Sequence, residues 1–252
     1  MRIPWIAFAL IAVGCQSPQL ADPNDPKLGA LEPEVLRRSL KGASNAFLER
    51  RDRGEINDQQ FQELMAMTAS RLTQGIEVEN TEPADAWEYG EVFRTARQWE
   101  RAEAFLQKAV QHAIQTKNED RRVNDLVRLA HVQVMQGKVK EGIETTRQSF
   151  DTPDEGAAPI LPATLLEIVP NARGKGHDRE LGYLLLDAVD CHTRTRVDPN
   201  SEAGNAFLNA KRHHVRNAFR AARMLFQYAN DAAGIAKVER RAQAFDQTTT
   251  SA

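Results

Sequence analysis

Cysteine is nearly missing from this chain: among 252 residues there are two, Cys15 and Cys191. Once Cys15 is given another role, no internal disulfide can form, which excludes a cross-linked miniature scaffold. Aromatic residues are sparse at 6%. Neither sign of charge dominates, with 33 Lys plus Arg against 35 Asp plus Glu, so no global electrostatic footprint for nucleic acid exists. No apolar run reaches the ~20 residues of a membrane-spanning helix, and no stretch reads as a strand. Catalytic spacings are missing too. None of the six histidines sits in a zincin or paired-ligand spacing, so neither metal nor cofactor is expected. The segment ARGKGHD carries Gly174, Lys175 and Gly176 without a phosphate-loop frame, and no GxSxG elbow occurs.

What is present begins at the N-terminus, MRIPWIAFALIAVGC. Arg2 precedes an uncharged run over 3–14 whose helical length, roughly 18 Å, falls short of the ~30 Å hydrocarbon core. A basic start, a short apolar stretch and small residues at its end mark 1–14 as an export signal. The ending IAVGC resembles the bacterial lipobox, with Ala12 where leucine is usual. That resemblance implies that Cys15 is lipidated and becomes the new N-terminus. Gln16 stands where an aspartate would favour retention in the inner membrane, which implies an outer-membrane anchor facing the periplasm. Pro18, Pro23 and Pro26 then make 15–32 a tether that can form neither helix nor buried strand.

From 33 the pattern turns helical, in a composition rich in Ala, Leu, Glu, Gln and Arg. Leu36, Leu40, Ala43 and Phe47 recur at three- and four-residue steps until Gly54. Asp58 is expected to cap a second helix with Phe61, Leu64, Met65, Thr68 and Leu72 inward. Thr81 offers a cap ahead of Pro83. Helices are expected at 82–97, 99–117, 120–136 and 138–150. After prolines 153, 159, 162 and 170 break the chain around a short helix near 162–169, further helices follow at 178–193, 203–228 and 231–246. Short links make neighbours antiparallel. The tail 248–252 is expected to be disordered.

Two hairpins carry a shared spacing. Gly90 and Ala102 lie 12 residues apart, as do Ala130 and Gly142, each small where two helices cross. With Tyr89, Phe93, Trp99 and Leu106 around the first pair, 82–117 and 120–150 resemble tetratricopeptide repeats (TPR) offset by 40 residues. Gln133 and Thr146 stand where that pattern has large apolar residues. Two such units cannot bury a continuous core, so flanking hairpins are required. The expected fold is all-α: about four stacked antiparallel hairpins over 33–247, a TPR-like α-solenoid. Mapping the groove of such repeats onto this chain gives Trp87, Glu91, Arg94, Asn124, Val127, His131 and Met135, a mixed surface suited to a peptide or partner helix.

Two enzyme families are set aside on residues. His177-Asp178 resembles the metal-binding pair of HD-type phosphohydrolases, yet it follows GKG at a helix start, where Asp178 reads as a cap. Lytic transglycosylases use a Glu-Ser motif, and this chain has none. Cys191 lies on an apolar face with Leu181, Leu184 and Ala188, and adjacent His192 points about 100° away, so the pair reads as inert. A basic stripe remains. Arg212, Arg216, Arg220 and Arg223 recur at helical steps, with no acidic residue between Asn205 and Asn230. It can meet anionic wall or lipid polymers, or pair internally with Glu180, Asp187 and Asp190. The sequence therefore points to a non-catalytic, lipid-anchored scaffold for a protein or peptide partner. An anionic-polymer binder, or an enzyme with a site in 153–200, is the alternative.

Overall fold

A computed structural model describes the backbone of residues 31–250 and the side chains of 31–247. The expected export signal, Cys15 and all of the expected tether but its last two residues lie outside the described residues. Every regular element described is helical, and no described helix is long and apolar enough to cross a membrane. The elements are α1 (Pro33–Asp52), α2 (Asp58–Leu72), α3 (Ala86–Thr95), α4 (Trp99–Gln115), α5 (Glu119–Met135) and α6 (Val139–Gln148). They continue as α7 (Ile160–Ala163), a π turn (Thr164–Ile168), α8 (Val169–Ala172), α9 (Asp178–Arg194), α10 (Glu202–Tyr228) and α11 (Ala232–Thr250). Short 3-10 turns at Val78–Asn80 and Asp154–Ala157 fill two of the links.

Consecutive helices pack on one another through α6, and α9, α10 and α11 form a second consecutive set. The three joints between α3 and α6 share one geometry. Arg97, Lys117 and Gly137 follow α3, α4 and α5 at 20-residue intervals, each with a positive φ. At every joint the next amide donates back across the helix end: Gln98 to Phe93, Asn118 to Ala113, Lys138 to Gln133. This left-handed closure satisfies terminal carbonyls and reverses the chain in three residues. One helix per 20-residue step makes a two-helix hairpin of 40 residues, the offset seen between Gly90 and Ala130.

α5 divides the core. Its Leu126, Leu129 and Val132 join the cluster of α1–α4 around Phe93, Phe105 and Leu106. Its Val123, Val127, Ala130 and Val134 join the cluster of α6–α11 around Leu184, Leu185 and Phe226. A helix apolar on two faces belongs between layers. The small residues act as expected: a Cβ on Gly90 would sit 2.8 Å from Leu106 Cγ, and one on Gly142 would sit 2.6 Å from Val134 and 2.9 Å from the Ala130 carbonyl. Gln133 and Thr146 are buried without polar cost. Thr145 donates to Gln133 Oε1 at 2.7 Å, and Thr146 donates to the Gly142 carbonyl at 2.8 Å.

Several local expectations need correction. Asn57, not Asp58, caps α2, through a reciprocal capping box with Gln60. Thr81 caps no helix; its hydroxyl donates to the Glu77 carbonyl, and α3 starts only at Ala86. Asp178 is the first residue of α9 and accepts from the Gly174 amide, so it closes the preceding loop instead of capping the helix. The fully buried residue of α2 is Ala69, while Phe61, Leu64, Met65, Thr68 and Leu72 are half-buried. The short helix near 162–169 is part of a longer helical run from Ile160 to Ala172, with the π turn between its two α segments. α11 runs to Thr250 and takes in residues 248–250 of the expected tail.

Candidate functional site

The face shared by α3, α5 and the 160–172 segment gathers the groove residues named from sequence, Met135 excepted. α3 places Trp87, Glu91 and Arg94 at three- and four-residue steps, on one side of the helix. α5 places Arg121, Asn124, Asp125, Arg128 and His131 likewise. The π turn, whose wider winding re-aims side chains, brings Glu167 to the same place.

Arg94 is the hub. Its guanidinium donates to both carboxylate oxygens of Glu91 at 2.7 and 3.0 Å, and to Glu167 Oε2 at 2.9 Å. The same Nη1 lies 3.1 Å from His131 Nδ1. Glu91 also meets Arg128 at 3.2 Å. Asp125, almost wholly buried, pairs with Arg121 one turn before it and with Arg128 at 3.5 Å. Arg121 lies 3.9 Å above the Trp87 ring, a cation–π contact, and Trp99 meets the His131 ring edge-on at 6.0 Å.

Charge within the cluster balances: Arg94, Arg121 and Arg128 against Glu91, Asp125 and Glu167. The protonation states follow. Burial alone would raise the Glu91 carboxyl, but Arg94 and Arg128 outweigh it and hold it below its ordinary range. Burial opposes the charge of Arg94 as well, and Glu91 with Glu167 more than restores it. Burial pushes His131 down to about 4, with Arg94 adding to the effect. The neutral ring accepts from Arg94 through Nδ1. Burial raises Asp125 despite Arg121.

Two clefts flank this network and meet at Glu91. The first, about 280 Å³, lies between α1, α2 and α3 and has Leu36, Leu40, Met65, Trp87 and Val92 on its walls. The second, also about 280 Å³, lies between α3, α5 and the 159–167 segment; Val127, Pro159, Pro162 and Leu166 give it apolar wall beside Arg94, Asn124 and Arg128. Leu166 is 70% exposed. Asn124, on the second cleft's wall, donates to the Asp120 carbonyl at 2.8 Å. Of the groove residues named from sequence, Trp87 borders the first cleft, Arg94, Asn124 and Val127 the second, and Glu91 both. His131 supports the network from beneath, and Met135, half-buried at the end of α5, lines neither cleft. Sequence reasoning missed Arg121, Asp125, Arg128 and Glu167. The first three stand at i, i+4 and i+7 on α5, a readable charged row; Glu167 is 73 residues from Arg94 and has no local signal.

The remaining sites named from sequence lie elsewhere. On α10, Arg216 pairs with Asp246 of α11 through two nitrogens at 2.7 and 3.0 Å, and Arg223 pairs with Glu239 at 3.2 Å. The expected pairing to α9 does not form, because α11 covers that side of α10: Glu180 meets His177 and Asp190 meets Arg241. His177, paired with Glu180, is half-buried. Cys191 is buried, and burial raises its thiol, which leaves it a small apolar filler. Among the described residues no group of three or more His, Cys, Asp or Glu could hold a metal ion. The chain matches no protein-family model and no curated protein.

Proposed function

We propose that this chain is a lipid-anchored scaffold that holds a segment of a partner protein along the two clefts meeting at Glu91. The supporting observation is the shape and lining of that trough: apolar wall on α1, α2 and α3 continues past a self-neutralised charged strip into apolar wall at Pro159, Pro162 and Leu166. Two open clefts in a row suit an extended or helical segment, whose side chains enter successive depressions, better than a compact metabolite. The Arg94 network fixes the strip. Its ion pairs are satisfied internally, so it positions the walls without competing for the ligand's charge.

The helical layout supports the finer reading as a TPR-like stack. The 20-residue recurrence of the joints and the small-residue crossings at Gly90 and Gly142 are the features such a stack needs. Export and lipidation at Cys15 rest on the sequence alone. Anchored there, the body would raise the local concentration of whatever it holds.

The test is photo-crosslinking in cells from Ser44, at the first cleft, and from Leu166, at the second, with exposed Gln243 on α11 as control. Both cleft positions should capture one and the same protein, and the control should not. Different captures from the two clefts, self-crosslinks alone, or no difference from the control would refute the trough.

A further inference from the structure

We propose that the exposed row of α10 formed by Leu208, Arg212, Arg216 and Arg220 is a contact surface for the phosphate headgroups of an anionic bilayer. These residues stand four apart, so their Cα atoms climb one side of the helix at about 6 Å per step. Arg223 extends the row by one more turn. No acidic residue occurs on this helix from Asn205 to its end at Tyr228. α11 neutralises only part of the row. Asp246 holds Arg216 and Glu239 holds Arg223, while Arg212 and Arg220 are exposed and have no acidic partner among the described residues. Between them lies a depression of about 310 Å³ lined by Asn209, Arg212, His213, Arg216, Asn217 and Arg220, with no carboxylate in its wall.

Apolar surface beside the charge selects a bilayer over a dissolved polyanion. Leu208 is 43% exposed and heads the same row, one turn before Arg212. Arg216 and Arg220 also rim a second depression of about 360 Å³, between α10 and α11, whose wall combines Phe219, Ala242 and Phe245 with the arginine-paired Glu239 and Asp246. A hydrophilic polymer offers only its charges to such a surface. A membrane offers phosphate and hydrocarbon together. This surface is separate from the trough and does not depend on it; a lipid at Cys15 would keep a bilayer within reach.

The test uses the full chain with Cys15→Ser, which removes lipidation, and vesicles of phosphatidylglycerol mixed with phosphatidylcholine or of phosphatidylcholine alone. The apolar 3–14 segment adds the same background to both, so co-sedimentation is read as the ratio between them. The ratio should favour the anionic vesicles and fall steeply as salt rises. At about fivefold for each arginine near the surface, Arg212→Gln with Arg220→Gln should cut it roughly 25-fold. Leu208→Ala should weaken anionic-vesicle binding too, and Arg38→Gln on α1 should leave it unchanged. Thermal melts followed by circular dichroism establish that each variant is folded. Equal binding to both vesicle types, a preference that survives the double substitution, or binding of soluble polyphosphate without vesicle preference would overturn the proposal.

Discussion

Acid should loosen this protein at one histidine that the trough does not use. His192 on α9 is 1% exposed, and neither ring nitrogen meets hydrogen-bond geometry; the Ala158 backbone offers only a weak contact that opposes the effect of burial. The Phe207 ring lies 4.7 Å away and the His214 ring 5.9 Å away, with Lys211 of α10 nearby. Burial pushes its pKa down to about 4, and His214 and Lys211 push in the same direction. The unfolded chain binds this proton near pH 6.5, so stability from His192 is complete above that value and is lost as pH falls toward 4. Between pH 7 and 4.5 the loss is on the order of 2–3 kcal/mol, a sizeable share of the ~5–15 kcal/mol that holds a domain together. His192→Leu removes the titrating group and keeps an apolar body against Phe207. Urea unfolding at both pH values isolates the effect, because carboxylates and His131 contribute equally to both proteins. The wild-type chain should lose about 2–3 kcal/mol more than the variant on acidification. Parallel losses would show that His192 is not the buried neutral group described here.

Further outcomes follow from other contacts. Gly142→Ala should destabilise by about 1–3 kcal/mol in thermal or urea unfolding, since its Cβ would meet the Ala130 carbonyl, whereas Gly42→Ala, with nothing within 4 Å, should stabilise by about 0.5–1 kcal/mol. Lys117 occupies a left-handed conformation at φ 55°, and Lys117→Gly should stabilise by about 0.5–1 kcal/mol in the same assay. Arg94 depresses His131, so Arg94→Met should move the His131 titration upward when followed by NMR; an unmoved midpoint would remove Arg94 from the account of that ring.

The helices were legible because burial of one face imposes a 3.6-residue period, and α4, α5, α9 and α10 fall within two residues of where that period puts them. Caps were less legible. Asn57 and Asp58 are adjacent and both can cap; only the reciprocal bond with Gln60 decides between them. The 153–172 region was misread for a physical reason. Its prolines read as breaks, yet Pro170 occupies the first turn of α8, where its missing amide costs nothing, and the π turn ahead of it absorbs the mismatch. That turn delivers Glu167 to Arg94, a contact no local pattern announces. The arginine stripe was visible as a stripe, but its partners were not. Pairing with α9 and pairing with α11 satisfy the same periodicity, and only the packing of α11 over α10 selects Asp246 and Glu239.

The central claim is that the trough holds a partner segment, and hydrogen exchange of the full chain, alone and with the protein captured from Ser44 and Leu166, tests it most directly. The account predicts slowed exchange in 33–44, 87–95 and 159–167 on binding, with α10 and α11 unchanged. Protection confined to α10 and α11, with those three segments unaffected, would contradict it.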